Sequence, residues 1–268
     1  MQTNLEKLQT KKYLMFSIVG TYFVMLIANL SGHEITTLAT NLLYVPIPGA
    51  LVILSIIIAR RFGIKGKHGR AWLFFVGLAV SWFIAEQIWL VYDLVYQTDP
   101  FPSLADFFYL AGYPFLFLFS IYYLKPLKDA ISKKTLTYVS LAAMTLLAPS
   151  LYIAYDTDSE ISAFELTLAL IYPIADAIVL IPALIGVILF FRGEVNFLWS
   201  LMCVAIILNV VADTGFLITS MDGSYYMGHP IDMLFLWAYI LFSFGVYSQI
   251  QIFKKPYHYT KSGLEDLR

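Results

Sequence analysis

Apolar and polar residues alternate along this chain in long blocks. Apolar runs of about 20 residues, the length that an α-helix needs to cross a bilayer core, recur from end to end between short polar segments. The runs predict eight membrane-spanning helices at residues 13–31, 43–60, 71–95, 104–124, 136–155, 163–191, 197–219 and 230–253. No small-residue cleavage site follows the first run, so we expect a retained helix or signal anchor there.

Composition agrees with this pattern. The chain is 60% hydrophobic and 13% charged, whereas soluble domains carry about 25% charged residues. The predicted fold class is therefore all-α, a polytopic membrane helical bundle. The single Cys203 excludes an internal disulfide framework.

The basic residues predict the orientation, because loops rich in Lys and Arg stay in the cytoplasm. They are Lys7, Lys11, Lys12, Arg60, Arg61, Lys65, Lys67, Arg70, Lys125, Lys128, Lys133, Lys134, Arg192, Lys254, Lys255, Lys261 and Arg268. All of them lie in a terminus or in alternate loops, and the opposite loops, near 32–42, 96–103, 156–162 and 220–229, carry none. We therefore expect a multi-pass protein of the cell (plasma) membrane with both termini cytoplasmic.

The two halves of the chain resemble each other at an offset of about 127 residues. The matched pairs are Tyr13 and Tyr138, Tyr44 and Tyr172, Trp72 and Trp199, Glu86 and Asp213, Asp106 and Asp232, and Tyr113 and Tyr239. This pattern predicts two four-helix repeats, residues 1–125 and residues 126–268, the second with a short cytoplasmic tail. An even number of spans per repeat gives both halves one orientation, with a pseudo-twofold axis along the membrane normal.

Acidic residues inside the spans are the strongest functional signal. Of the 18 acids, five accompany the bases, at Glu6, Asp129, Glu194, Glu265 and Asp266, and the rest lie in spans or on the predicted outer side. Ionisable groups inside a membrane are costly and usually face the bundle interior. An aromatic lining next to acids suits an organic cation.

Helical spacing groups these acids with aromatic residues. Trp82, Glu86, Trp89 and Asp93 share one helix face, and Asn209, Asp213, Phe216 and Ser220 form the equivalent stripe. Further faces combine Asp106 with Tyr109 and Tyr113, and Asp232 with Phe235 and Tyr239. The predicted ligand-binding residues are Glu86, Asp93, Asp106, Asp213, Asp232, Trp82, Trp89, Tyr109, Tyr113 and Tyr239.

A structural role is the alternative for these residues. The aromatic side chains could form an interfacial belt, and the buried acids could stay protonated and hydrogen-bond neighbouring helices. Without a ligand, we expect at least one of Glu86 and Asp213 to be protonated at neutral pH.

Prolines and histidines supply two further hypotheses. Asp176 stands between Pro173 and Pro182, and with Pro114 and Pro182 it is a candidate coupling or gating residue, because broken helices often line cavities. Pro46 and Pro48 are read as a break in the second span. His33, Glu34, His229 and Asp232 could ligate a metal on the outer side, although no HxxxH or HExxH spacing is present.

Motifs of other classes are missing from the sequence. It has no phosphate-binding glycine loop, no GxSxG and no CxxC, and no span contains the Lys that a retinal Schiff base needs. We therefore predict no enzymatic activity and no nucleic-acid partner, and the sequence identifies no cofactor.

One segment resembles a known family. Residues 99–114, DPFPSLADFFYLAGYP, are similar to a P-[FY]-P-S-x-A-D-x-x-Y-L-x-x-Y-P stretch in multi-pass N-terminal sensor regions of prokaryotic signalling proteins. Those regions precede diguanylate cyclase, phosphodiesterase or histidine kinase domains. The resemblance implies that Pro102, Asp106, Tyr109 and Tyr113 are signature positions. Since no output domain follows in the sequence, it implies a stand-alone sensor acting on a partner protein, or part of a longer protein.

These observations lead to one main hypothesis and two alternatives. The main hypothesis is a membrane sensory or ligand-binding module with an outward-facing acidic and aromatic site between the repeats. The alternatives are a proton- or cation-coupled secondary transporter and a membrane-embedded enzyme or metal-binding protein. The expected partners are the lipid bilayer, a small cationic or amphipathic ligand and a signalling protein.

Overall fold

The computed structural model describes residues 4–63, 67–155, 162–193 and 197–252. All regular secondary structure within these ranges is helical. The predicted cytoplasmic tail and almost all of the predicted 156–162 loop lie outside the described residues.

Nine α-helices are present in the described ranges. They are α1 (Asn4–Leu30), α2 (His33–Leu43), α3 (Pro46–Phe62), α4 (Lys67–Leu90), α5 (Leu104–Leu124), α6 (Lys133–Tyr155), α7 (Ala163–Phe191), α8 (Phe197–Met221) and α9 (Asp232–Ile252). A π-helical segment, Val91–Tyr96, continues α4, and a 3-10 helix, Lys125–Ala130, follows α5. Counting α2 and α3 as one segment, eight of the described helical segments are long and apolar enough to span a membrane, so the prediction of an all-α bundle with eight spans is confirmed.

The segment 32–42, predicted as an outer loop, is instead the helix α2, so that prediction is wrong. Its polar residues hid it from a search for apolar runs, but several of them are hydrogen-bonded within the protein. The Thr36 hydroxyl lies 2.9 Å from both the Ala28 and the Gly32 carbonyl oxygens and donates to one of them at a time, and the Asn41 amide donates to the Thr37 carbonyl. Pro46 is the first residue of α3, where the missing N–H costs nothing.

Six helices close into a ring. In ring order they are α3, α4, α5, α7, α8 and α9, and α9 packs against α3 again. Outside the ring, α1 packs on α9 and α2, while α6 packs on α7 and α8. The ring therefore forms the centre of the bundle and carries its functional side chains.

One end of the ring is filled by aromatic side chains. Trp72, Phe75, Phe119, Trp199 and Phe242 are the largest fully buried residues. The Phe75 and Phe119 ring centroids are 4.8 Å apart, and Phe119 lies 5.9 Å from Trp199. This packed end is the one that carries the basic segments around residues 60–70 and 125–134.

Candidate functional site

A cavity occupies the opposite end of the ring, close to the 97–103 and 222–231 connections. Its empty volume, counting its open side, is about 990 Å³. Five acids line it: Glu86, Asp106, Asp176, Asp213 and Asp232. Six tyrosines line it as well: Tyr44, Tyr109, Tyr113, Tyr172, Tyr225 and Tyr239. An aromatic lining with a few convergent polar groups is typical of small-molecule sites.

The first acidic site in the cavity is built on Glu86 of α4. Its side chain is 7% exposed, and its Oε1 accepts a hydrogen bond of 2.7 Å from the Tyr239 hydroxyl of α9. The Tyr109 hydroxyl of α5 is a second partner of the same carboxyl group. One turn before Glu86, the Trp82 indole N–H donates to the Tyr109 carbonyl at 3.0 Å, which fixes the ring beside the site.

The second acidic site joins Asp213 of α8 to Asp176 of α7. The Tyr113 hydroxyl lies 2.7 Å from Asp176 Oδ1 and 2.9 Å from Asp213 Oδ2. Asn209, one turn before Asp213, donates its amide to Oδ2 at 2.6 Å. A tyrosine hydroxyl has a single hydrogen and can donate to only one of the two carboxyl groups at a time. The site is therefore short of one hydrogen, which a proton on a carboxyl or an N–H of a ligand would supply.

Each acidic site pairs a carboxyl group on one half of the chain with a tyrosine on the other half. Tyr239, in the second half, binds Glu86 in the first, while Tyr113, in the first half, binds Asp213 in the second. The Trp82 ring contacts both tyrosines, with its centroid 6.1 Å from each of theirs. The two sites thus adjoin one indole ring.

Asp106 and Asp232 line the cavity from the first turns of α5 and α9. The Asp106 carboxylate accepts from the Ser103 backbone N–H at 2.7 Å and from the Tyr172 hydroxyl at 2.8 Å. Asp232 accepts from the Gly228 N–H at 2.7 Å and from the Tyr225 hydroxyl at 3.0 Å. Negative charge is favourable at a helix N-terminus. Both acids therefore stabilise helix starts while adding negative charge to the cavity wall.

Aromatic side chains cover the side of the cavity nearest the connections. Trp89 and Phe216 are 5.8 Å apart, and Phe216 also contacts Tyr225 and Phe101 at 4.7 and 6.0 Å. Burial, together with the charge of the nearby Asp232, raises the pKa of Tyr225 well above its usual value, so its hydroxyl remains a hydrogen-bond donor.

The connection that carries Tyr225 is tied to the rest of the bundle. Asn29 of α1 donates to the Gly228 carbonyl at 3.0 Å and accepts from the Tyr226 hydroxyl. Gly228 has a φ of 93°, and a Cβ there would lie 2.1 Å from the Thr36 side chain. Only glycine fits this close approach to α2.

Nine of the ten predicted ligand-binding residues line this cavity, and Asp93 does not. Asp93 lies in the π-helical segment after Leu90 and accepts a hydrogen bond from Asn41 of α2. A π-helical turn holds more residues than an α-helical turn, so a residue seven positions after Glu86 no longer shares its face. Asp93, predicted as a ligand-binding residue, is therefore held apart from the other nine and lies outside the lining of this cavity.

Only one of the predicted gating residues lines the cavity. Asp176 and Pro173 line the cavity, but Pro182 is buried farther along α7 and Pro114 is exposed on the outside of α5. Since Pro173 has no N–H, the Ala169 carbonyl loses its usual helical donor, and both residues lie at the cavity wall. Pro173 is thus the proline that interrupts the backbone hydrogen bonding of α7 beside the site.

The predicted metal ligands do not form a site. No group of three His, Cys, Asp or Glu side chains in the described ranges is arranged to hold a metal ion. His229 Nδ1 accepts from the Ile231 N–H at 3.2 Å, and both oxygens of Asp232 have protein donors. Glu34 and His33 are exposed in the first turn of α2. The predicted metal site of His33, Glu34, His229 and Asp232 is therefore not formed by these side chains.

Several lining residues were not predicted as ligand-binding. Phe101 and Tyr225 lie in connections, where helical periodicity gives no signal. Tyr44 and Tyr172 appeared in the sequence only as a matched pair, and Asn209 and Phe216 only as members of the second stripe. That stripe was the available signal, because it occupies the same positions as the residues around Glu86.

The cavity lining is acidic and aromatic. Among the described residues that line it, none is Lys, Arg or His. The arrangement can hold a positive charge against carboxyl groups while aromatic faces enclose the rest of a molecule.

No protein family model, no curated protein and no solved structure matches this chain.

Proposed function

We propose that the protein is an integral membrane sensory module that binds an organic cation in the cavity. One observation carries the proposal: five carboxyl groups line the cavity, and the described lining contains no basic side chain to compensate them. Buried charges without a partner are strongly unfavourable in a medium of low dielectric constant. A bound cation would supply the missing partner.

The aromatic residues explain why the cation would be organic. Trp82, Trp89 and the tyrosines present ring faces, and an ammonium group over such a face is attracted by about 0.5–2 kcal/mol. A metal ion would instead need several oxygen ligands converging on one point. Most oxygens of Asp106 and Asp232 are already engaged by protein donors, which supports an ammonium compound over a metal.

The repeat and the orientation belong to the same proposal. Two parallel repeats, residues 1–125 and 126–268, would place α3, α4 and α5 opposite α7, α8 and α9. The closed six-helix ring and the pairing of carboxyl groups with tyrosines across the halves support this arrangement. The basic residues support cytoplasmic termini in the plasma membrane, with the cavity facing outward.

Sensing is favoured over transport by the packed end of the ring. A transport pathway has to reach both sides of the membrane in alternation. Here the aromatic cluster of Trp72, Phe75, Phe119, Trp199 and Phe242 fills the ring beyond the cavity. A ligand that binds in the cavity would change how the surrounding helices pack, because it cannot pass through the filled end. A signalling protein on the basic side would respond to that change in packing.

A secondary transporter is the second candidate, and Asp176 is the observation that favours it. Asp176, Pro173 and Thr214 line the main cavity and also a smaller pocket of about 200 Å³ between α6, α7 and α8. An acid beside a helix break and between two pockets fits a coupling role. Uptake of a radiolabelled amine into proteoliposomes distinguishes a sensor from a transporter. We expect the protein to bind the amine without taking it up. Saturable uptake would show that the protein is a transporter.

The binding proposal is tested by thermal unfolding of the purified protein with a panel of amines and divalent ions. A ligand at 100 times its Kd stabilises the folded state by about 2.7 kcal/mol. We expect amines to raise the melting temperature of the wild type. Glu86→Gln should fold, because Gln keeps the shape and can still accept from Tyr239, but it should lose most of that rise.

Asp222→Asn is the matched control, since Asp222 is an exposed acid near the same end of the bundle and outside the cavity lining. It should keep the full shift of the wild type. Equal shifts in Glu86→Gln and in the wild type would remove Glu86 from the site. A response to divalent ions alone would overturn the choice of an organic cation.

A further inference from the structure

The two acidic sites of the cavity have equivalent chemistry. Each combines a carboxyl group on one half of the chain with a tyrosine from the other half: Glu86 with Tyr239, and Asp213 with Tyr113. Each lacks a basic partner among the described lining residues. Each site therefore offers its own carboxyl group to a cationic group of a ligand.

The surface between the two sites is aromatic. The Trp82 ring contacts both Tyr113 and Tyr239, the tyrosines of the two sites, and its N–H is already bound to the Tyr109 carbonyl. With its N–H engaged, the indole offers mainly apolar surface to the cavity. Such a surface suits a hydrocarbon segment that connects two charged groups.

A further polar atom in the lining is free to bind a ligand. The Ser220 hydroxyl is buried and has no hydrogen-bond partner among the residues that the structure describes. A buried hydroxyl without a partner is unfavourable because its hydrogen bonds to water are lost, and a bound molecule can supply the missing partner. An N–H of a bound amine would satisfy it.

We infer that the ligand is a linear diamine, a molecule with two ammonium groups joined by a short hydrocarbon chain. One ammonium group binds Glu86 and the other binds the Asp176–Asp213 pair, while the chain packs against Trp82. An N–H of the second ammonium group would replace the proton that the hydrogen-bonded Asp176 and Asp213 carboxyl groups otherwise share beside the Tyr113 hydroxyl. This inference rests on the proposed function, because it specifies the cation that the cavity holds.

The test compares 1-aminobutane with 1,4-diaminobutane, 1,6-diaminohexane and 1,8-diaminooctane by isothermal titration calorimetry on the full chain. A hydrogen bond to a charged group contributes about 1.5–3 kcal/mol, which corresponds to at least about tenfold in Kd. We therefore expect one of the diamines to bind at least about tenfold more tightly than 1-aminobutane. The preferred chain length reports the distance between the two acidic sites.

Glu86→Gln and Asp213→Asn should each bring the best diamine close to the affinity of the monoamine, because each removes one of the two charges. Asp222→Asn should keep the full preference. Comparison of the melting temperatures without ligand shows that each variant is folded.

The outcomes separate the inference from the proposed function. If the monoamine and every diamine bind equally well, the site takes a single charge: the inference fails and the proposed function stands. If either cavity variant keeps the full diamine preference, the second ammonium group binds elsewhere and the inference also fails. If no amine binds the wild type, both fail.

Discussion

A methyl group added at Gly112 should destabilise the protein and disturb the cavity together. Gly112 lies in α5 and packs against Trp82 of α4. A Cβ at this position would lie 2.1 Å from the Trp82 Nε1 and 2.4 Å from its Cδ1. These atoms belong to a rigid indole ring that is 3% exposed, so Gly112→Ala forces either the ring or the helices to move.

The size of the effect follows from the contacts. Overpacking in a close-packed interior costs about 1–3 kcal/mol. Against this, Ala is about 1 kcal/mol better than Gly inside a helix. Displacement of the ring also breaks the hydrogen bond from Trp82 to the Tyr109 carbonyl, at about 0.5–1.5 kcal/mol. The lost hydrogen bond and the helix propensity largely cancel, which leaves a net loss of about 1–3 kcal/mol.

Thermal unfolding in detergent measures this loss. A change of 1 kcal/mol shifts the midpoint of a protein of about this size by roughly 2–4 °C. Gly112→Ala should therefore melt roughly 2–12 °C below the wild type, and it should bind amines more weakly because the Trp82 ring contacts the tyrosines of both acidic sites.

Gly20→Ala is the matched control. Gly20 lies inside α1, and a Cβ there has no described atom within 4 Å. This variant gains helix propensity without a clash, so its midpoint should stay equal to that of the wild type or rise. If Gly112→Ala melted as high as Gly20→Ala, the close packing of α5 on Trp82 would be refuted.

Two further measurements test the orientation and one connection. Cysteine introduced at Ser224 should react with an impermeant thiol reagent on intact cells, and cysteine at Ser132 should not. The native Cys203 is fully buried and adds little background. Labelling at Ser132 would show that the proposed orientation is the wrong way round. Partial burial lowers the pKa of His229, and its Nδ1 accepts the Ile231 N–H, so protonation favours the unfolded chain. His229 therefore contributes stability above the usual histidine pKa of about 6.5 that is lost as the pH falls below it. The melting temperature should fall between pH 8 and pH 5 by more in the wild type than in His229→Gln, and an equal fall in both would contradict this role.

The amino-acid sequence predicts the helices of this protein well because bilayer thickness sets one length for every span. Its failures have local physical causes. The helix α2 was missed because Thr36, Thr40 and Asn41 are polar, and their burial is visible only once α1 and the 222–231 connection are in place. Asp93 was assigned to the cavity because an α-helical period was extended through a segment that is π-helical.

The sequence also identified the acids that are candidates for a functional site, because Glu86, Asp176 and Asp213 lie in apolar spans with no basic residue nearby. Only the tertiary structure decided how they are partnered. Tyr239 binds Glu86 across 153 positions of the chain, and Tyr113 binds Asp213 across 100. Helical periodicity fixes which residues share a face of one helix, but it contains no information on which helix that face meets. The ring closure of α3 on α9 and of α5 on α7 brings these distant groups around one cavity.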